Sequence, residues 1–408
     1  MRSAAVAVVI VGAVAVAGHA QSSSMSGRVV ADATGDAIPN ARVTLSTAAL
    51  GTPVVLTDAN GRFAFTAPSG RQSVVASKSG YARSEATPAI AGQPIEIRLR
   101  RGATISGRVV DAFGDPVVAA RVAAQMPSSG QDNSPSVAVA ETDDRGEYRL
   151  AGLPAGTFIV VVMTMSMTPT PQVVGNTRII IGMPTVQKTY YPGMTTPAEA
   201  QPLGLQFGDE KPDIDFVVPA DHTLGNPFSV MRLSPSPLPA SATPARATGI
   251  VRGRVMSTDG RSLSHAQVRL ISQQQDFRLQ RTASADEDGR FEFADLPAGK
   301  FGVMASKTGY SPVGSDESPL GSILNSVRPF DLAEGETRER VDVSLVRWGT
   351  LAGRVFDELG DPIQGVSVQV LHIRYEAGRR RLVAAGGAAH ATDDLGRYRL
   401  YALAPGRY

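Results

Sequence analysis

The sequence predicts an all-β protein built from tandem antiparallel β-sandwich domains, which short junctions and one proline-rich linker connect. Three observations lead to this fold class. One pattern of short segments occurs four times along the 408 residues, apolar and polar residues alternate within these segments, and no long stretch shows the 3.6-residue period of a helix. Period-two alternation is typical of strands with one buried face, and the repetition indicates several copies of one domain.

The composition is that of a folded, soluble chain. Apolar residues make up 42% and charged residues 19%, and 40 Lys and Arg against 38 Asp and Glu leave a net charge of +2. This balance gives no electrostatic reason to expect a nucleic-acid partner. The absence of cysteine excludes disulfide bonds, thiolate zinc sites and a cysteine nucleophile.

We interpret residues 1–20 as a signal peptide. Arg2 precedes the apolar run 4–17, which is too short to span a bilayer comfortably, and the small residues Gly18 and Ala20 follow it. An uncleaved membrane anchor is the alternative. No later segment approaches the length of a transmembrane helix, so we expect no transmembrane segment after signal cleavage and a bacterial protein that is secreted, periplasmic or at the cell surface.

Each copy of the repeat opens with a Gly-Arg-Val strand, whose glycines are Gly27, Gly107, Gly253 and Gly353. A turn of small and polar residues follows. The next strand alternates cleanly, as in the first copy, where Ala41, Val43 and Leu45 share one face. One face of this strand is therefore expected to be buried and the other exposed.

A second turn with the pattern Asp-x-x-Gly-x-aromatic recurs at Asp58, Asp143, Asp286 and Asp393. The aspartate can accept a hydrogen bond from the backbone two residues on, and the glycine can adopt the left-handed conformation. This predicts a β-hairpin in every copy. A calcium loop at Asp286 is disfavoured, because Pro297 stands where such a loop needs a bidentate carboxylate.

Copies one to three close with an alternating strand, at Ile95–Leu99, Ile214–Val218 and Val341–Leu345. The fourth copy reaches Tyr408 without this strand. A sandwich that lacks its last strands exposes sheet edges and core side chains. We therefore expect that the chain is a truncated gene product.

These motifs, in this order, resemble the carboxypeptidase regulatory-like domain family from about Ser26 to the end of the chain. The resemblance implies a transthyretin-like (prealbumin-like) β-sandwich, a fold shared with collagen-adhesin B-type and starch-binding-like modules. The motif residues belong to turns and cores, so the resemblance is specific for fold and weak for function.

The predicted domains are a signal peptide at 1–20, a first sandwich at 21–100, a second at 101–220 with an insertion at about 163–205, a linker at 221–248, a third sandwich at 249–347 and an incomplete fourth at 348–408. Within the insertion, Thr196, Pro197 and Glu199 fit the start of a short helix. An ordered surface loop is the alternative.

No catalytic, cofactor or metal site is predicted. None of the five histidines has Glu three residues on, as a zinc carboxypeptidase requires, and His372 and Glu376 follow a strand, where this spacing separates them by about 13 Å. Neither a nucleophile elbow nor a phosphate-binding loop occurs. Collagen-adhesin B-type domains often carry a Lys–Asn isopeptide, but arginine occupies the corresponding positions, so we expect no isopeptide bond.

The sequence leaves three hypotheses for function. The first is a secreted, non-enzymatic array that spaces, displays or binds at the bacterial cell envelope, with cell-envelope proteins as partners. The second is a carbohydrate-binding array, for which Tyr190 and Tyr191 are the candidate exposed ligand-binding residues. The third is an accessory N-terminal part of an outer-membrane receptor or peptidase.

Overall fold

Sheets form the architecture throughout the residues that the computed structural model describes, which are 22–45, 53–68, 71–90, 92–127, 134–174, 177–219, 222–223, 248–272, 280–312, 329–376, 378–385 and 390–408. The predicted signal peptide and nearly all of the predicted linker lie outside these ranges. In the described part of the chain, no helix is long and apolar enough to cross a membrane. The chain divides into two units, Met1–Lys78 with Ala82–Arg100, and Ser79–Tyr81 with Arg101–Tyr408.

The first unit contains one sandwich. Its strands are β1 (Ser22–Ala31), β2 (Arg42–Leu45), β3 (Val54–Leu56), β4 (Arg62–Pro68), β5 (Arg71–Ser77), β6 (Thr87–Ile90) and β7 (Ile95–Leu99). One sheet has the order β4-β1-β7 and the other β3-β2-β5-β6. Apolar side chains of both sheets are buried, including Met25, Val43 and Ile97.

The second sandwich begins the second unit. Its strands are β8 (Ala103–Asp111), β9 (Arg121–Gln125), β10 (Ser136–Glu141), β11 (Glu147–Leu153), β12 (Gly156–Val174), β13 (Thr177–Tyr190), β14 (Leu203–Leu205), β15 (Glu210–Lys211), β16 (Phe216–Val218) and β17 (His222–Thr223). One sheet is ordered β10-β9-β12-β13, and β14 and β17 also pair with β12. The other sheet is ordered β11-β8-β15, and β16 also pairs with β8.

The third sandwich repeats this plan. Its strands are β18 (Gly249–Ser257), β19 (Gln267–Ser272), β20 (Gln280–Ser284), β21 (Arg290–Leu296), β22 (Gly299–Ser306), β23 (Tyr310–Pro312), β24 (Phe330–Leu332), β25 (Thr337–Arg338) and β26 (Val343–Arg347). One sheet is ordered β21-β18-β26-β23, with β25 also beside β18, and the other β20-β19-β22-β24.

The fourth sandwich is open. Its strands are β27 (Gly349–Arg354), β28 (Ser367–Val368), β29 (Leu371–Glu376), β30 (Arg379–Ala384), β31 (His390–Ala391) and β32 (Arg397–Leu403). They form three two-stranded pairs, β27-β32, β28-β31 and β29-β30. The predicted fold class, tandem transthyretin-like sandwiches, is confirmed by this architecture.

The opening and closing strands of the first three sandwiches run parallel to each other. β7 pairs with β1, β16 with β8 and β26 with β18 in this direction, whereas the hairpin partners β4, β11 and β21 are antiparallel. Alternation of apolar residues reports which face of a strand is buried and carries no information on direction. The sequence pattern therefore did not predict this parallel pair.

The glycine of the Gly-Arg-Val strand lets the closing strand approach. A Cβ atom built on that glycine would lie 2.0 to 2.3 Å from a carbonyl oxygen of the segment that closes the sandwich, namely Ile95 beside Gly27, Ile214 beside Gly107 and Val341 beside Gly253. No side chain fits at that distance. The repeated glycine therefore marks a close contact of two backbones.

The Asp-x-x-Gly-x-aromatic segment forms the predicted hairpin turn. In the second sandwich, Asp143 Oδ1 accepts hydrogen bonds from the amides of Arg145 and Glu147, both at 2.9 Å, and Gly146 has a φ of 75°. The aromatic side chain that follows, Tyr148, is buried, and its hydroxyl donates to Ile214 O at 2.6 Å. The turn aspartates of the other three copies accept the same pair of bonds.

The insertion in the second sandwich is a long hairpin followed by turns. β12 and β13 pair from Val161 opposite Tyr190 to Val174 opposite Thr177. The predicted short helix at Thr196 is wrong, because residues 191–200 form turns and bends. Thr196 Oγ1 donates to Glu199 Oε2 at 2.9 Å, and Gln201 N donates to Tyr191 O at 2.8 Å, which returns the chain to the sheet before a helical turn can continue.

Candidate functional site

The two candidate ligand-binding tyrosines are not an exposed pair. Tyr190 lies at the end of β13 with 2% of its surface exposed and packs against Val161 and Ala200. Tyr191 is half-buried, and its ring centroid lies 5.9 Å from that of Phe216. The predicted exposure of Tyr190 is wrong, because the hairpin of β12 and β13 brings it onto the core. The buried ring of Tyr190 offers no open face for a sugar.

The histidines take structural places. His372 lies in β29, as expected for a strand. The ring of His265 stacks on Phe113, with centroids 4.4 Å apart. Among the described residues, no group of three or more Asp, Glu and His is arranged to hold a metal ion.

The first sandwich has an open depression of about 710 Å³ beside β1, β4 and β7. Arg28, Asp58, Arg62 and Glu96 line it. Asp58 already accepts the two turn amides, and Arg28 Nε donates to Asn60 O at 3.1 Å. These groups stabilise the hairpin, and we do not assign a ligand to the depression.

Four largely buried charged groups join the second and fourth sandwiches. Arg149 of β11 donates to Asp394 through Nε at 2.7 Å and Nη2 at 3.0 Å, a bidentate pair. Arg399 of β32 binds Asp144 in the same way, with Nη2 at 2.8 Å from Oδ2 and Nε on Oδ1. We call these four residues, Asp144, Arg149, Asp394 and Arg399, the Asp/Arg clamp.

The Asp/Arg clamp is reciprocal. Asp144 and Asp394 each follow the turn aspartate of their own sandwich, and Arg149 and Arg399 each follow the turn aromatic. Equivalent residues therefore exchange the same contact, as in a two-fold interface between identical subunits. The first and third copies carry Ala59 with Ala64 and Glu287 with Glu292 at these positions, so neither can form it.

Burial makes this contact electrostatically strong. The side chain of Asp394 is 5% exposed and that of Arg149 21%. Burial alone raises the pKa of Asp144, but the hydrogen bonds and charge of Arg399 outweigh it and hold that pKa below its ordinary value. The same hydrogen bonds raise the pKa of Arg399. Asp144 and Arg399 are therefore both charged at neutral pH.

Trp348 extends the contact to the third sandwich. Its backbone N donates to Gly309 O at 2.9 Å, and its indole N–H donates to Ser311 Oγ. Its ring stacks on Tyr401 of β32, with centroids 6.2 Å apart. Trp348 therefore links the third sandwich, through its two hydrogen bonds, to the fourth sandwich, through its ring.

The second and third sandwiches also touch, although a proline-rich segment separates them in sequence. Lys307 Nζ lies 2.6 Å from Asp115 Oδ2, and the lysine side chain is 14% exposed. Phe113, in the same turn as Asp115, stacks its ring on that of His265 of the third sandwich. The second sandwich therefore contacts both of the following ones.

The contact between the second and fourth sandwiches is expected to persist from pH 8 to pH 5 and to fail in acid. Because the pKa of Asp144 lies below 3.8 in the folded chain, its contribution is complete above that value and is lost as the pH falls through the folded pKa. Fluorescence of Trp348 during acid titration measures this. A transition centred above pH 5 would contradict this prediction. As a control, Glu292→Gln, which removes an exposed ion pair, should leave the acid transition unchanged.

Comparisons with known proteins agree with the fold. The family model for the carboxypeptidase regulatory-like domain matches residues 24–100, 104–181 and 250–346, together more than half of the chain. No curated protein shows a significant match.

The chain is also similar to solved bacterial structures. The Bacillus anthracis TIE protein is 15% identical with a TM-score of 0.20, over 79% of this chain and 50% of that protein. BcpA, the major pilin subunit of Bacillus cereus, is 10% identical with a TM-score of 0.19, over 80% of this chain and 100% of BcpA. The major pilin SpaD of Corynebacterium diphtheriae is 10% identical with a TM-score of 0.19, over 80% and 98%. With three matched copies of its domain, the chain belongs to the carboxypeptidase regulatory-like domain family.

Proposed function

We propose that the chain is a secreted, non-enzymatic array of sandwich domains that serves as a structural spacer or binding support at the bacterial cell envelope. The observation that carries this proposal is the Asp/Arg clamp. Buried charged side chains are often candidates for catalytic residues. The four of the clamp are instead paired with one another and hold two domains together.

A spacer must keep its domains in fixed positions, and several contacts of the second unit serve that purpose. The clamp, the Lys307–Asp115 ion pair and the Trp348–Ser311 hydrogen bond each join different sandwiches. Interfaces within a chain are otherwise small and permit relative motion. Buried, bidentate ion pairs restrict this motion, because separation of the two domains would break both hydrogen bonds of each pair.

Small-angle X-ray scattering of the full chain tests the spacer role. The wild-type scattering profile should be fitted with one fixed arrangement of the domains of the second unit. The double variant Arg149→Ala with Arg399→Ala should have a larger radius of gyration. The control is Arg145→Ala, an exposed residue of the same turn, which should leave the profile unchanged. Equal profiles for all three proteins would contradict a fixed array.

Secretion is tested separately by fractionation. Expression of the 408-residue chain in a bacterial host should give a product in the periplasmic or extracellular fraction that starts near Gln21, measured by mass spectrometry. Deletion of residues 2–20 should keep the protein in the cytoplasm. A cytoplasmic product that retains Met1 would overturn the envelope assignment.

A further inference from the structure

The two halves of the chain have the same junction between their sandwiches. Gly102 N donates to Gly80 O at 3.1 Å in the first half, and Trp348 N donates to Gly309 O at 2.9 Å in the second. The two glycines lie in equivalent turns, with the sequences Lys-Ser-Gly-Tyr and Lys-Thr-Gly-Tyr, and both donors stand five residues before an opening glycine. Each half is therefore a tandem pair of sandwiches with the same connection.

The second and fourth sandwiches meet through equivalent residues. The Asp/Arg clamp pairs the aspartate of each sandwich with the arginine of the other. Thr350, three residues before the opening glycine of the fourth sandwich, donates to Asp144 Oδ2 at 3.3 Å. Its equivalent in the second sandwich, Thr104, accepts from Arg149 Nη2 at 3.4 Å. Aspartate, arginine and threonine thus occupy matching places on the two sides of the contact.

The two Lys-Ser/Thr-Gly-Tyr turns make a second set of matching contacts. Lys307 of the third sandwich binds Asp115, in the turn that follows the Gly-Arg-Val strand of the second sandwich. The equivalent of Asp115 in the fourth sandwich is Asp361, and three residues further on Gln364 N donates to Ser79 Oγ at 2.9 Å. Ser79 belongs to the other turn of this type and lies in the second unit. The turn of each half therefore contacts the equivalent region of the other half.

We propose that the surface of the first half is self-complementary and binds the same surface of a second copy of the chain when the second half is released from it. This surface, which we call the half-interface, comprises Lys78, Asp115, Asp144 and Arg149. Equivalent residues that exchange contacts across a two-fold arrangement can take one another's places. Arg149 of each copy then binds Asp144 of the other, and Lys78 of each copy binds Asp115 of the other. The proposal goes beyond the spacer role, because it gives the array a partner.

The charges of the half-interface favour a second copy as the occupant. It carries two cations, Lys78 and Arg149, and two carboxylates, Asp115 and Asp144. A partner of one charge sign would leave two of these groups facing a like charge, whereas an identical surface pairs all four. Pairing matters here because these groups are largely buried in the contact, where Asp144 is 15% and Arg149 21% exposed.

The second sandwich also has the shape to replace the fourth in this contact. Glu210 of β15 lies 3.5 Å from Arg149 Nη2, and its side chain is 73% exposed, so it stands at the rim of the contact with the fourth sandwich. Because the two sides of the contact are equivalent, Glu210 of a second copy also stands at the rim. The second sandwich of another copy therefore fits without a clash at β15.

A full-length variant that releases only the second half tests the proposal. Lys307→Ala, Asp394→Arg and Arg399→Ala together remove the ion pairs that the second half contributes and leave every residue of the half-interface in place. The new arginine also repels Arg149. In sedimentation equilibrium this release variant should have twice the mass of the wild-type chain, which should be a monomer because its half-interface is occupied.

Two further substitutions in the release variant are matched controls. Asp144→Ala should weaken dimer association at least about tenfold, since each copy loses a partner for a buried arginine. Arg145→Ala should keep the dimer, because Arg145 is 54% exposed and its ion pairs stay within one turn. Equal association of these two proteins would overturn the proposal.

A charge exchange within one chain provides the opposite test. The variant Asp144→Arg, Arg149→Asp, Asp394→Arg and Arg399→Asp should be a monomer, because its clamp closes within the chain with the charges reversed. Thermal melting checks that every variant folds. If the release variant unfolds, Lys307→Gln, Asp394→Asn and Arg399→Gln replace its three substitutions.

A folded release variant that stays monomeric would overturn the self-complementary surface, as would a dimer formed by the charge-exchanged chain. The spacer role would survive either result. Its scattering test uses Arg149→Ala with Arg399→Ala, which removes one arginine from each side of the clamp, so neither side can pair with itself.

Discussion

Gly107→Ala is expected to destabilise the second sandwich by about 3 kcal/mol or more. The new Cβ would lie 2.1 Å from Ile214 O and 2.5 Å from Ile214 C, which are backbone atoms with no rotamer to change. The closing strand must move away, and the Asp215–Arg108 and Tyr148–Ile214 hydrogen bonds depend on its position. Native-state hydrogen exchange of the β8 and β16 amides measures the loss locally, as a chain of several domains requires.

Gly204→Ala is the control in the same sandwich. Gly204 lies in β14, and a Cβ there would meet nothing within 4 Å. This variant should keep wild-type protection of β8 and β16. Protection of β8 and β16 in Gly107→Ala equal to that of the control would show that the glycine does not serve the close approach of the two strands.

Arg149→Ala is expected to weaken the docking of the fourth sandwich on the second by about 3 kcal/mol. It leaves the Asp394 carboxylate, 5% exposed, without its bidentate partner, and an unpaired charge is costly to keep buried. The fourth sandwich should separate so that water can reach this carboxylate. Trp348, the single tryptophan, lies two residues before Thr350, whose hydroxyl donates to Asp144 of the second sandwich at 3.3 Å, so its fluorescence should then shift to longer wavelength.

The exposed neighbour Arg145 provides the comparison. Its ion pairs with Asp143 and Glu147 stay within one turn, and its side chain is 54% exposed. Arg145→Ala should therefore change docking little. The exchange Arg149→Asp with Asp394→Arg should recover part of the lost docking energy, and if the exchange were no better than Arg149→Ala, direct pairing would be the wrong explanation.

The repeated turns explain why the fold was legible from the sequence. An aspartate, a glycine and an aromatic at fixed spacing form a hairpin through bonds between residues at most four apart, as at Asp143 and Glu147. Alternation in the strands fixes which side chains are buried. Both signals are local, and together they predicted the sandwich fold from the sequence. The resemblance to the family rests on the same turn and strand residues.

The candidate site was less legible. Tyr190 was predicted to be exposed, and the pairing of β12 with β13 buries it. The helix at Thr196 had the right first residues and too few after them. The Asp/Arg clamp did leave a signal in the sequence, because copies two and four share the Asp and the Arg and copies one and three lack both. The residues of a turn, however, do not indicate which other turn they will contact.

The sequence by itself determined the short alternating strands and the hairpin turns, because these depend on neighbours within a few residues. Only the tertiary structure decided that the opening and closing strands run parallel and that the second and fourth sandwiches pair reciprocally. Each of these contacts joins residues far apart in sequence, from 68 positions for Gly27 and Ile95 to 255 positions for Asp144 and Arg399. Such contacts are set by how finished sheets pack, which no local pattern encodes.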